Sequence, residues 1–383
     1  NYRLATWLYN QTYNFSGKDD DVIIELAERF KEVDNYTQAE VILTNAELYN
    51  AEKGFYAFTF DGLLAAELRS VIDVAIYDGN TRLTQTLRYS PDTYGNNKTD
   101  RDIDDAMDMG VGTFVVDNTD ELLTLEAHAA ARGITQRILL RITPGIDPHT
   151  HKAIVTGSVD SKFGSAIETG QAMDIVKLAL AQPHIHLSGF HCHIGSQIFD
   201  TNPFSEAADI MVKFIASVKA ACGYEVEELN LGGGLGVPYT EFDSPVDYAA
   251  AIKDMAAIIH GFCDTHGVKM PKVILEPGRS LVAAAGITLY TVGSVKTIPG
   301  FRTYVSVDGG MPDNPRYALY QSTYTALIAN RAGEEKTETV TIAGRCCESG
   351  DLIGEEMPLQ PARRGDILAV LSTGAYNYSM ASN

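Results

Sequence analysis

The 383-residue sequence predicts an α/β fold, a (β/α)8 TIM-type barrel with an appended antiparallel β domain formed by the C-terminal part and the N-terminal segment. Three observations carry that expectation. Through the middle of the chain, short apolar runs ending in Gly or polar residues alternate with helix-like stretches. After about Ala285 the texture changes to β-branched, alternating runs divided by Gly and Pro. The first twenty-odd residues share that β texture, and residues 21–30 then read as an amphipathic helix. The barrel is therefore expected over 21–285, and the β domain over 1–20 and 286–383.

The runs 137–142, 187–192, 229–231 and 273–275 are too short for buried helices and read as strands. The first runs into Thr143-Pro144-Gly145, the second into His193 and Gly195-Ser196. The third opens onto Gly232-Gly233-Gly234 and the fourth onto Glu276-Pro277-Gly278-Arg279. Residues 119–132 start acidic and stop at Gly133, as a helix does. Residues 205–221 combine Ser205 as N-cap with an apolar stripe of Ile210, Met211, Phe214, Ile215 and Val218. Alternating strands and helices imply parallel βα units, which a barrel closes, with working groups at the carboxyl ends of the strands. Farther on, 287–295, 302–307, 337–343 and 366–371 read as strands, with Pro299-Gly300 and Arg364-Gly365 as turns.

A formal charge of −20 argues against a nucleic-acid partner, because phosphate binding needs a basic face. Any anion site must be built locally from a few Arg and amide groups. The five cysteines include the adjacent pair Cys346 and Cys347 and suggest no disulfide framework. No run has the apolar length to cross a bilayer, and no secretory leader is evident, so the expected location is cytoplasmic, with no membrane partner. The sequons at Asn10, Asn14 and Asn35 are short triplets of the kind chance produces.

Four strand ends supply candidate chemistry. Glycines at 232–234 remove Cβ atoms where backbone amides could approach an anion such as phosphate, although such turns are often merely tight. Glu276 and Arg279 offer opposite charges to one ligand, or else an internal ion pair at a barrel rim. His193 stands at a strand end beside Gly195 and Ser196. The later region adds Asp308-Gly309-Gly310 with Arg316 and Tyr320, then Cys347-Glu348-Ser349-Gly350-Asp351, then Gly374-Ala375-Tyr376. A free Cys is most often an ordinary buried thiol. No Cys-x-x-Cys or His-x-x-x-His spacing suggests a metal, and no Gly-x-Ser-x-Gly elbow suggests a serine hydrolase.

Taken in order, 191–197, 232–236, 276–279, 308–311 with Arg316 and Tyr320, 347–351 and 374–376 resemble the diaminopimelate decarboxylases, fold-type III pyridoxal-phosphate enzymes that make lysine from meso-diaminopimelate. The resemblance runs from about Tyr94 to Asn383. It implies pyridoxal 5'-phosphate as cofactor, with His193 stacked on the pyridine ring. Ser196, Gly232, Gly233, Gly234, Gly278 and Arg279 would cradle its phosphate, and Glu276 would pair with the ring nitrogen. Arg279, Arg316, Tyr320 and Glu348 would grip the substrate, Tyr376 would lie against cofactor and substrate, and Cys347 would act as general acid. A homodimer with shared active sites is also implied, because the Cys347-Glu348 segment would reach a partner subunit.

The same resemblance calls for a cofactor-bearing Lys in a Tyr-Ala-x-Lys segment. The comparable stretch is Phe55-Tyr56-Ala57-Phe58-Thr59-Phe60, with Thr59 at the lysine position. A hydroxyl cannot form the covalent bond that an amine forms with an aldehyde, and Lys53 and Lys98 are poorly placed substitutes. Three readings follow: an active diaminopimelate decarboxylase, a non-catalytic cofactor-binding homologue, or a decarboxylase of another diamino acid or carboxylated polyamine.

Overall fold

Strand ends separated by helices can share one site only if the strands lie parallel and side by side, and this arrangement is present. The computed structural model describes residues 95, 97–147 and 157–381, together with the backbone of four short strands before them. Those four are β1 (Phe58–Phe60), β2 (Ile72–Val74), β3 (Ile76–Asp78) and β4 (Thr81–Leu83), in two antiparallel pairs, β1 with β2 and β3 with β4. The expected helix over 21–30 and the N-terminal share of the β domain lie outside the described residues.

Next come α1 (Asp100–Asp108), β5 (Thr113–Val116), α2 (Thr119–Arg132), β6 (Gln136–Thr143), β7 (Ser165–Ala166), α3 (Gln171–Leu180), β8 (Ile185–His191), α4 (Asn202–Cys222), β9 (Glu228–Asn230), α5 (Tyr248–His266), β10 (Lys272–Ile274) and the short α6 (Gly278–Val282). The helix expected over 119–132 has those bounds. The one expected from Ser205 starts earlier, at Asn202, with Thr201 at the N-cap and Pro203 in the first turn. The fixed φ and missing N–H of Pro suit a first turn, so Asn202-Pro203 outweighs the capping chemistry of Ser205.

The described residues form two compact units. The first holds those up to Val116 with Asp120–Ile138 and Gln182–His186; the second holds Asp117–Thr119, Leu139–Ala181 and everything from Leu187 on. In the first, Lys98 Nζ donates to Glu121 Oε1 at 2.6 Å, Val115 O at 2.8 Å and Gly95 O at 3.1 Å, and both charged side chains are buried. In the second, β8 runs parallel to β9 and β9 to β10, so the carboxyl ends of all three point the same way. Phe190 on β8 meets Phe214 of α4 with ring centroids 5.1 Å apart, and Met211, Ile215 and Val218 continue the buried stripe.

After α6 the second unit becomes β-rich: β11 (Thr288–Ile298), β12 (Arg302–Val307), α7 (Arg316–Tyr320), β13 (Ala326–Ile328), β14 (Glu338–Ala343), β15 (Leu352–Leu359), β16 (Ile367–Val370) and α8 (Asn377–Met380). The sheet order is β13-β16-β11-β12-β14-β15. Its inward residues, including Val292, Val305, Ile328, Ile342, Ile353, Leu368 and Val370, form one apolar core. The sheet is mixed, not purely antiparallel as its alternating texture suggests, because β12 and β14 pair in parallel. The chain between them passes through α7 and β13, and a connection of that length can return a strand in the same direction.

Candidate functional site

The aligned ends of β8, β9 and β10 bring three loops together. Residues 192–196 follow the first, which ends at His191; the glycine run follows the second, which ends at Asn230; and Glu276 to Arg279 follow the third. Backbone contacts knit them: Glu276 N donates to Gly232 O at 2.8 Å and Ile198 N to Gly234 O at 3.0 Å. A Cβ on Gly232 would lie 2.5 Å from Cys192 O, one on Gly233 would lie 1.9 Å from Glu276 O, and one on Gly234 2.2 Å from Gly195 O. Gly232 and Gly234 also hold positive φ. The glycines are thus required first for loops to pack against one another, a nearer constraint than the ligand approach expected from sequence.

Glu276 is held at both carboxylate oxygens. His191 Nε2 lies 3.3 Å from Oε2, and Asn230 Nδ2 donates to Oε1 at 2.7 Å. Asn230, fully buried, also accepts from Gly232 N–H at 2.8 Å, so the glycine loop and the carboxylate share one anchor. Burial drives the His191 pKa down, against the opposing pull of the Glu276 charge. His193 is pushed down to about 4, by burial first and then by His191 and Arg141. At neutral pH its ring is therefore neutral, and a neutral imidazole can lie flat on an aromatic ring without the desolvation cost of a cation.

Arg279, on the first turn of α6, is buried. Its Nη2 and Nε donate to Ser196 Oγ at 3.0 and 3.3 Å, its Nη1 to Tyr239 Oη at 2.6 Å, and its guanidinium carbon lies 4.7 Å from the Tyr376 ring centroid. Arg316, also buried, donates through Nη2 to Ser322 Oγ at 3.2 Å and lies over the rings of Tyr239 and Tyr320 at 5.5 and 5.7 Å. Among the described residues neither arginine makes an ion pair, and the buried Nε of Arg316 has no hydrogen-bond acceptor. A buried guanidinium without a counter-charge is costly, and an anionic ligand removes that cost.

Comparison with known proteins supplies the family. Residues 85–283, more than half of the chain, match the family described as pyridoxal-dependent decarboxylase, pyridoxal binding domain. A diaminopimelate decarboxylase of Halalkalibacterium halodurans is 44% identical over 95% of this chain and 82% of that protein. The chain belongs to this family. The corresponding enzyme of Bacillus subtilis is 47% identical over 76% of this chain and 66% of its own length. A crystal structure of the diaminopimelate decarboxylase from M. jannaschii in complex with L-lysine has a TM-score of 0.68 at 38% identity, covering 76% of this chain and 65% of that one. The α/β barrel with an appended β domain is the architecture of this family, and pyridoxal phosphate is its cofactor.

Within this family frame, the sequence-derived candidates separate into groups. His193, Ser196, Gly232, Gly233, Gly234, Glu276, Gly278, Arg279 and Tyr376 gather at the strand ends. Arg316 and Tyr320 stand beside them, joined through Tyr239. Glu276 and Arg279 do not neutralise each other, so the rim ion pair weighed from the sequence does not form. Cys347 and Glu348 are exposed on the loop between β14 and β15, and among the described residues neither contacts the group around Glu276. That loop is pinned by Asp351, whose carboxylate accepts from Met311 N–H at 2.6 Å and Cys346 N–H at 2.7 Å. Lys98 is paired with Glu121, while Lys53 and the side chain of Thr59 lie outside the described residues.

Three residues were missed from sequence. His191 lies within the same short motif as His193, and Asn230 ends a strand two residues before the first glycine, so both had a positional signal. Tyr239 had none.

Proposed function

We propose that this chain decarboxylates meso-diaminopimelate to L-lysine and carbon dioxide with pyridoxal phosphate. The carrying observation is the pair of buried guanidiniums without counter-charge among the described residues, Arg279 and Arg316, beside a carboxylate held at both oxygens, Glu276. The residues present suit the cofactor at two ends. Arg279 with Ser196 offers charge and hydrogen bonds to a phosphate, and Glu276 offers a fixed acceptor to a protonated ring nitrogen. His193 supplies a neutral stacking face, and Gly278 and Tyr376 are neighbours, with a Cβ on Gly278 falling 3.7 Å from Tyr376 Oη. Pyridoxal phosphate, when bound, supplies an electron sink for the charge left as carbon dioxide departs.

The chain's own part is to bind, orient and move a proton. Arg316 and Tyr320 take a substrate carboxylate, and Glu348 takes the distal ammonium. Cys347 holds on Sγ the proton that is returned to carbon. The exposure of Cys347 and Glu348 in one copy supports their delivery into the site of a second copy, hence a homodimer with shared sites. A working thiol of this kind favours the reducing cytoplasm. Among the described residues, no helix is long and apolar enough to cross a membrane. The L-lysine bound in the M. jannaschii relative supports a diamino-acid product.

Thr59 favours a second reading, a homologue that binds the cofactor without catalysis. One experiment separates the two. The protein is loaded with pyridoxal phosphate and reduced with borohydride, its peptides are mapped by mass spectrometry, and carbon dioxide release from meso-diaminopimelate is followed in parallel. A pyridoxyl-lysine, on whichever peptide carries it, together with carbon dioxide release from meso-diaminopimelate, is the expected result. Cofactor that dialyses away, with no release, establishes the binding-only homologue. Release from a carboxylated polyamine in preference to diaminopimelate would move the substrate instead.

A further inference from the structure

Tyr239 follows the glycine loop beyond β9 and is buried. Its main chain is fixed from two sides: Asp243 Oδ2 accepts from its N–H at 2.9 Å, and Thr325 donates to its carbonyl through N at 3.1 Å and Oγ1 at 2.9 Å. Its ring meets Tyr324 edge-on, with centroids 5.1 Å apart at 81°. The side chain can therefore move little.

What the ring touches is chemically asymmetric. The hydroxyl donates its one proton to Ala375 O at 3.1 Å, which turns a lone pair toward the Arg279 Nη1 donor at 2.6 Å. The ring face lies 5.5 Å from the Arg316 guanidinium carbon, within cation–π range. Two like charges that would otherwise repel thus meet one side chain, the first through its oxygen and, at 6.0 Å, its ring, the second through its ring at 5.5 Å. Its oxygen hydrogen-bonds only the first, and its ring lies nearer the second. Among the described residues neither charge is cancelled by an ion pair, so both remain available to anions.

We propose that Tyr239 is a positioning residue that sets the spacing between the two anion sites, its hydroxyl orienting Arg279 and its ring orienting Arg316. The ligand class is a molecule presenting a phosphate at one end and a carboxylate at a defined distance from it. The inference rests on the functional reading in which Arg279 faces the cofactor phosphate and Arg316 a substrate carboxylate. It goes beyond that reading by giving the two arginines one shared, separable control.

The test uses the whole chain and two probes that need no covalent anchor. Pyridoxamine phosphate is titrated by calorimetry, and L-lysine is then titrated at saturating pyridoxamine phosphate. Tyr239→Phe keeps the ring and deletes the hydroxyl, so pyridoxamine phosphate should weaken about tenfold while lysine stays within about threefold of wild type. Tyr239→Leu deletes both and should weaken both probes about tenfold or more. Equal pyridoxamine phosphate affinity in wild type and Tyr239→Phe overturns the proposal, as does an equal loss of both probes in Tyr239→Phe, which would mark a merely structural role. If Tyr239→Leu fails to fold, Tyr239→Phe decides alone. Wild-type protein that binds no pyridoxamine phosphate would overturn the functional reading, and this proposal with it.

Discussion

His191 and His193 stand two residues apart at the end of β8, and burial drives both toward their neutral forms. The consequence for stability has a definite sign. His193 titrates near 4 when folded against an ordinary 6.5, so between those values the unfolded chain binds more protons than the folded one. Its contribution is fully present above about 6.5 and is lost as pH falls toward 4. His191 adds to the same trend, although its contact with Glu276 opposes it. Thermal melting followed from about pH 7.5 down to about pH 4.5 should show a falling midpoint, and His193→Gln should fall less steeply over that window. Parallel curves for the two proteins would show that His193 does not titrate in this way.

At the scale of elements, the loop after β9 is specified by close approach. Gly233→Ala would place a methyl group 1.9 Å from a backbone oxygen of the neighbouring loop, and neither backbone can yield cheaply. A loss of roughly 2 to 4 kcal/mol in urea unfolding is expected. Gly261, on the exposed face of α5, has nothing within 4 Å of its would-be Cβ. There the same substitution should stabilise by about 0.5 to 1 kcal/mol, because alanine loses less backbone entropy in a helix. Opposite signs from one chemical change would locate the constraint in packing between loops and not in the residue type. If Gly233→Ala proved neutral, the account of the glycine run would fail.

At the scale of the whole molecule, the proposed chemistry needs a second copy. Cys347 and Glu348 are exposed, and on the proposed reading a variant lacking Cys347 and a variant lacking Glu276 would fail in different halves of a shared site. Mixing Cys347→Ala with Glu276→Ala after mild dissociation should recover about a quarter of wild-type carbon dioxide release, since half the dimers are mixed and each carries one intact site. No recovery on mixing would place Cys347 in its own subunit's site. Complementation of this kind also reports assembly independently of the affinity of either half for its ligand.

The sequence by itself determined which strand ends carry chemistry. Short apolar runs stopping at Gly232, at Glu276 and at His193 are local patterns, and the bounds of α2 and β12 follow from signals within a few residues. The tertiary structure alone decided which side chains share a task. Arg279 meets Tyr239 across 40 residues and Ser196 across 83, while Glu276 meets Asn230 across 46 and His191 across 85. No local propensity encodes such pairings; they arise when parallel strands align their carboxyl ends and glycines let the loops close on one another. The same physics turned an expected rim ion pair into two separately held groups, because Glu276 found neutral donors on neighbouring strands and Arg279 found hydroxyls.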